Sequence, residues 1–207
     1  MKLAAFLYPG MTTLDLIGPL ETLSRLPGME VVRVAESAGP VSADTGLQLL
    51  ADCSMAEVES ADLLLMPGGT ETWPLLENQA VLEWVRHVDQ QSQWTASVCT
   101  GSLVYAAAGL LEGRPATTHW ACLDMLASYG ALPTSERVVG SDKYITAAGV
   151  SAGIEMGLSL CAAIAGEDMA KTLQLAIEYD PEPPFDAGSP EKAPQYKDAV
   201  LAVLGGS

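Results

Sequence analysis

The feature that most constrains this chain is an alternation. Short, nearly continuous apolar runs at residues 3–8, 31–35, 63–66, 94–98 and 144–147 are separated by segments with helical spacing. Runs of this length that lack an in–out alternation suit strands buried on both faces, and such strands belong to parallel sheets. Between them, Val81, Val85 and Val88 fall on one helical face within 78–91, and Ile154, Leu158, Cys161, Ala162 and Ala165 do so within 151–165. This succession predicts a mostly parallel sheet covered on both faces by helices. With 207 residues, 49% of them hydrophobic, the chain is sized for one α/β domain over 1–207. It carries no internal repeat and no dividing linker. Asp44-Thr45-Gly46 is a turn signal between extended pieces and predicts a small β insertion over 40–52. Asp180-Pro181-Glu182-Pro183-Pro184-Phe185 opens a tail, about 180–207, expected to be irregular and to pack on the domain or on a partner copy.

Charge excludes one class of partner. The net charge is −16, from 26 acidic and 10 basic side chains. A nucleic-acid binder needs clustered Lys and Arg to neutralise phosphates, so none is expected here. The N-terminal apolar run is too short for a signal peptide and stops at Pro9-Gly10. No segment approaches the roughly 20 apolar residues that span a bilayer. The expectation is a cytoplasmic protein. Its four cysteines, Cys53, Cys99, Cys122 and Cys161, are scattered and form no CxxC pair, which argues against a disulfide framework.

Cys99 has the most informative surroundings, Trp94-Thr95-Ala96-Ser97-Val98-Cys99-Thr100-Gly101-Ser102. A strand ends at Val98, and a small-residue helix runs from about 102 to 108 and stops at Gly109, a common helix-ending glycine. Ligands of open α/β sheets bind beyond the carboxyl ends of the strands. A helix N-terminus there favours a thiolate and lowers the cysteine pKa. Gly101 permits a tight turn like that of a G-x-S-x-G nucleophile elbow, although Ser97 stands at the first glycine. The competing reading is a small buried core cysteine, the role expected of Cys161 on its apolar stripe.

Three other segments supply candidates. In Met66-Pro67-Gly68-Gly69-Thr70, the Gly69 N–H, with that of Thr100, is placed to bind a developing negative charge; a plain turn is the alternative. Asp15, after the first strand, reads either as a carboxylate complementing a helix dipole or as an acid beside Cys99. In the second role like charge and burial would raise its pKa, as suits a proton donor near neutrality. His119, in Ala116-Thr117-Thr118-His119-Trp120, reads as a base for Cys99 or as a structural neighbour. His119 and Cys122 alone are too few ligands for zinc. His87 falls on the surface of an amphipathic helix.

Taken together, Val98-Cys99-Thr100-Gly101, Pro67-Gly68-Gly69, 15–19 and 116–120 resemble the DJ-1/PfpI superfamily. The closer resemblance is to its isocyanide hydratase branch, and it extends through Gly149-Val150-Ser151-Ala152-Gly153-Ile154, 175–185 and Ala187-Gly188-Ser189-Pro190. The resemblance implies a flavodoxin-like three-layer α/β sandwich with a cysteine elbow, and a homodimer that needs no cofactor or metal. It implies a lyase adding water to isocyanides to give N-substituted formamides through a thioimidate on Cys99. Asp15 then serves as general acid and base, Thr100 supports activity, and Val150 touches substrate. A histidine directly follows the cysteine in PfpI-like proteases, and Thr100 stands there instead. DJ-1-like glyoxalases and deglycases use a glutamate where Asp15 stands. The same domain also resembles the sensory half of AraC-type regulators, which keeps a binding or redox-sensing role open.

Overall fold

The computed structural model describes residues 1–205. Its centre is a seven-stranded sheet in the order β10–β11–β7–β6–β1–β2–β5. These strands are β1 (Lys2–Phe6), β2 (Glu30–Ala35), β5 (Cys53–Ser54), β6 (Leu63–Met66), β7 (Trp94–Val98), β10 (Val138–Ser141) and β11 (Tyr144–Ala147). Every pairing in it is parallel except the β10–β11 hairpin. β6 and β11 are buried along their whole length, and β1 and β7 at every residue but the first. This is why they carry nearly continuous apolar runs, interrupted in β7 only by Thr95 and Ser97. The hairpin β3 (Gly39–Ser42) with β4 (Gln48–Ala51) forms the insertion expected from its Asp44–Gly46 turn, and β8 (Pro115–Ala116) pairs with β9 (Leu132–Pro133).

The helices are α1 (Thr13–Leu23), α2 (Gln79–Asp89), α3 (Gly101–Ala107), α4 (Leu123–Ser128), α5 (Ala152–Ala165), α6 (Glu167–Ala176) and α7 (Lys197–Gly205). α1 packs on α5 and α5 on α6, while α3 touches both α2 and α4. The strand order explains the two layers. From β1 the chain steps outward to β2, but the step to β6, and then to β7, runs the other way. Right-handed crossovers in opposite directions leave their helices on opposite faces. The reversal opens a crevice above the carboxyl ends of β1 and β6, where ligands of such sheets bind.

The strand and helix positions follow the sequence patterns closely, with one correction. The tail is irregular only as far as Ala193. A 3-10 turn over Pro194–Tyr196 then leads into α7. The apolar series Ala199, Val200, Leu201, Ala202, Val203 and Leu204 favours helix once the Pro-rich, acidic stretch has passed. Among the described residues no helix is long and apolar enough to cross a membrane.

Candidate active site

Cys99 sits at the elbow between β7 and α3. Its φ is +56°, the left-handed region that costs an L-residue about 1–2 kcal/mol. Neighbours on every side hold it there. Its N–H donates to the carbonyls of Ala147 and Ala148 at 3.0 and 3.1 Å. Its carbonyl accepts from Thr118 Oγ1 at 2.9 Å and from Ser102 Oγ at 3.2 Å. The glycines beside it are required for close approach. A Cβ on Gly101 would lie 2.3 Å from the Met66 carbonyl oxygen, and one on Gly68 would lie 2.5 Å from the Thr100 nitrogen.

Asp15, in the first turn of α1, comes to the same spot. It is fully buried, and its Oδ2 accepts from the Gly68 N–H at 3.0 Å. Oδ1 has no hydrogen-bond partner among the described residues. Burial raises the Asp15 pKa from 3.8 to about 7, against the downward pull of the Gly68 N–H and the Cys99 thiol. The thiol departs from expectation. The start of α3 was expected to lower its pKa, yet burial and then the Asp15 charge push it well above the ordinary value, and only contacts with Thr100 pull the other way. Cys99 is 7% exposed and α3 has seven residues, so desolvation outweighs the helix end. The resting pair is a thiol beside a carboxyl that titrates near neutrality.

Gly69 also differs from expectation. Its N–H donates to Thr100 Oγ1 at 3.0 Å and is not free to face a ligand. What Gly69 does is orient Thr100. Thr100 Oγ1 lies 2.7 Å from Thr72 Oγ1, which lies 2.9 Å from the Tyr8 hydroxyl. Thr72 and Tyr8 are buried. Sequence reasoning missed both, and Gly68 and Thr118 as well. The signals were faint: Tyr8 ends the first apolar run, Thr72 follows the Gly68-Gly69 turn, and Thr118 precedes His119.

A cleft of about 680 Å³ opens beside the elbow. Thr118 and Ala148, both bonded to the Cys99 backbone, lie in its lining, although Cys99 itself does not. His119 and Val150 line it too. His119 Nδ1 accepts from the Ala121 N–H at 3.3 Å, and burial lowers the ring's pKa. A neutral ring held in this way carries its proton on Nε2. The other wall comes from the tail, through Pro183, Phe185 and Pro190. Cys161 is in the core as expected, and Cys53, Cys99, Cys122 and Cys161 are all free.

The DJ-1/PfpI family pattern matches residues 1–163. The chain belongs to the DJ-1/PfpI family. It is 42% identical over 194 residues to the isonitrile hydratase of Pseudomonas putida, an alignment covering 94% of this chain and 85% of that relative. It is 31% identical over 172 residues to the HTH-type transcriptional regulator CdhR of Pseudomonas aeruginosa, of whose length it spans 51%. Among solved structures, a ThiJ/PfpI family protein from Pseudomonas syringae superposes with a TM-score of 0.95 at 38% identity, covering 99% of this chain and 86% of that one. Drosophila melanogaster DJ-1beta shares the fold, with a TM-score of 0.79 at 21% identity.

In this DJ-1/PfpI chain Cys99 and Asp15 fall inside the family-matched region, whereas the tail wall of the cleft lies beyond residue 163. The site brings together a buried thiol, a carboxyl able to exchange a proton near pH 7, and an adjoining cleft. That combination suits addition of a thiol and a proton across a small unsaturated group.

Proposed function

We propose that the chain hydrates isocyanides to N-substituted formamides by covalent catalysis at Cys99, with Asp15 moving the proton. The observation that carries this reading is the buried Cys99–Asp15 pair in a chain 42% identical to an isonitrile hydratase. Asp15, as carboxylate, takes the thiol proton while the sulfur bonds to the terminal carbon of R–N≡C. The same proton passes from Asp15 to that carbon, giving the thioimidate R–N=CH–S–Cys99. Water then adds across the C=N bond, hydroxyl to carbon and proton to nitrogen. The C–S bond breaks, the hydroxyl proton passes to sulfur, and R–NH–CHO leaves. The sum is one isocyanide plus one water, a carbon–oxygen hydro-lyase reaction that calls for no cofactor. Thr100 steadies the developing thiolate, an assignment supported by the downward pull of its N–H and hydroxyl on the thiol. Gly69 acts through Thr100, and His119 and Val150 face the substrate.

The working form is a homodimer in the cytoplasm. Four free cysteines suit a reducing compartment. Leu14 on α1 and Leu47 and Leu50 on the β3–β4 hairpin are exposed. Thr12 and Thr13 bond Asp44 and Thr45 across these two elements, so the leucines offer neighbouring apolar surface to a partner copy. A sensory-domain role has the weaker support, since the identity to the regulator is lower and spans less of this chain.

The test is turnover. Purified protein with phenyl isocyanide is expected to yield N-phenylformamide, identified by NMR, and Cys99→Ala is expected to yield none above the uncatalysed rate. A wild-type protein that gives no formamide while iodoacetamide still alkylates Cys99 overturns the hydratase reading.

A further inference from the structure

Deepening the hydratase reading, and resting on it for the part Thr100 plays in turnover, we infer that Thr72 is a positioning residue which, with Tyr8 behind it, aims the Thr100 hydroxyl at the Cys99 sulfur as negative charge develops there. Thr100 Oγ1 and the cysteine meet over Gly68, where an added Cβ would lie 2.6 Å from Thr100 Oγ1 and 2.9 Å from the Cys99 Cβ. A threonine hydroxyl has one proton and two lone pairs, so it can donate to sulfur only when its other contacts donate to it. The Gly69 N–H already donates to Thr100 Oγ1 at 3.0 Å. The direction of the 2.7 Å bond between Thr100 Oγ1 and Thr72 Oγ1 therefore decides whether the sulfur finds a donor.

Beside a neutral thiol, Thr72 donates to the Gly69 carbonyl at 2.8 Å and accepts from the Tyr8 hydroxyl at 2.9 Å and from Thr100 at 2.7 Å. Thr100 has the Gly69 carbonyl as a second acceptor at 3.2 Å, and with either one its proton is turned away from the sulfur. A thiolate reverses one bond. Thr72 rotates its proton from the Gly69 carbonyl onto Thr100 Oγ1, and Thr100 rotates its own onto the sulfur. The Gly69 carbonyl keeps the Thr72 N–H at 3.4 Å. Tyr8 donates to Thr72 in both arrangements. Burial keeps its phenol protonated, and its other acceptor, the Pro67 carbonyl, is farther off at 3.3 Å. Tyr8, Thr72 and Thr100 are all buried, so water does not stand in for a lost partner. Donors pointing one way along such a chain strengthen one another. The bond to sulfur forms only while sulfur is charged, so it favours the transition state over the bound substrate.

Two rates on the full chain test the assignment: alkylation of Cys99 by iodoacetamide at pH 8, and steady-state turnover of cyclohexyl isocyanide. Thr72→Val keeps the side chain's shape and removes its hydroxyl. A hydrogen bond to a charged sulfur is worth about 10-fold in thiolate, and the greater nucleophilicity of a less stabilised thiolate returns part of that, so alkylation is expected to slow about 3-fold. kcat is expected to fall about 10-fold, with KM within about 2-fold of the wild type. Tyr8→Phe acts only through Thr72 and is expected to slow both rates about 2-fold. Thr72→Ser is expected to restore them. In a Thr100→Val background, Thr72→Val is expected to change neither. Asp15 and Cys122, the other titratable groups that act on the thiol, stay in place in every variant. A Thr72 that only supports the fold gives the opposite sign, because loosened packing exposes Cys99 and speeds its alkylation. Faster or unchanged alkylation in Thr72→Val, or a loss that persists beside Thr100→Val, overturns the inference. If Thr72→Val does not fold, Tyr8→Phe, which keeps the ring, decides by the same signs. A wild type that hydrates no isocyanide sinks the hydratase reading by itself, and the alkylation rates still decide the hydroxyl chain.

Discussion

Asp15 is buried with only the Gly68 N–H and the Cys99 thiol to meet it, and burying a carboxylate costs far more than two hydrogen bonds return. Its pKa of about 7 records that imbalance and leads to two expectations. In the proposed chemistry the carboxylate form starts the reaction, so kcat/KM should rise through about pH 7 with the slope of one ionisation. A profile flat from pH 5.5 to 8.5 would remove Asp15 as the base. The second expectation concerns stability. A carboxyl at about 7 in the folded chain and 3.8 in the unfolded one binds its proton more tightly when folded. Stability therefore falls as pH rises from about 4 to about 7. Between pH 5 and pH 8 the wild type should lose roughly 2–3 kcal/mol that Asp15→Asn keeps, at about 1.4 kcal/mol per pH unit. Urea melts of the two proteins at both pH values measure the difference. At this scale Cys99 and Asp15 were legible as residue types on the right turns. The thiol's raised pKa was not, because the sequence reports the helix end but not how completely the surrounding strands exclude water. Nor was the hydroxyl chain from Tyr8 through Thr72 to Thr100, whose members come from three separate turns.

At the scale of elements, the elbow is a junction of three strand ends locked by backbone contacts. Gly101 is its tightest point, 2.3 Å from any added Cβ to the Met66 carbonyl. Because the obstacle is backbone of a central strand, it has nowhere to move. Gly101→Ala should cost at least about 2 kcal/mol, read as a lower urea midpoint. Gly109→Ala leaves the same added methyl in open space, though at a positive φ, and should cost about 1 kcal/mol. Equal losses in the two variants would mean that the close approach is not what Gly101 provides. The strands β6, β7 and β11 match their predicted runs residue for residue, because a strand covered on both faces admits only apolar or small, hydrogen-bonding residues such as Thr95, Ser97 and Thr146 and excludes charge along its length. The short elements β8 and β9 and the hairpin strand β10 were not legible, since partly exposed pairs of two to four residues carry no such run. Helix α7 was hidden behind the Pro-rich stretch before it.

For the whole molecule, the sheet order gathers residues far apart in sequence above one crevice, and the tail returns to close its side. That return is set by tertiary packing and has no local signature. Association belongs to this scale too. Sedimentation should report twice the chain mass of 21.7 kDa, and Leu47→Glu with Leu50→Glu should give monomers, whereas dimers in the double variant would put the interface elsewhere. The central claim, hydration through a bond to Cys99, is tested most directly by rapid-quench intact mass spectrometry during turnover of cyclohexyl isocyanide. A transient species heavier by one isocyanide, mapped to Cys99, is expected to decay as N-cyclohexylformamide forms and to be missing from Cys99→Ala. Formamide produced at the wild-type rate by Cys99→Ala, with no adduct at any time, would contradict it.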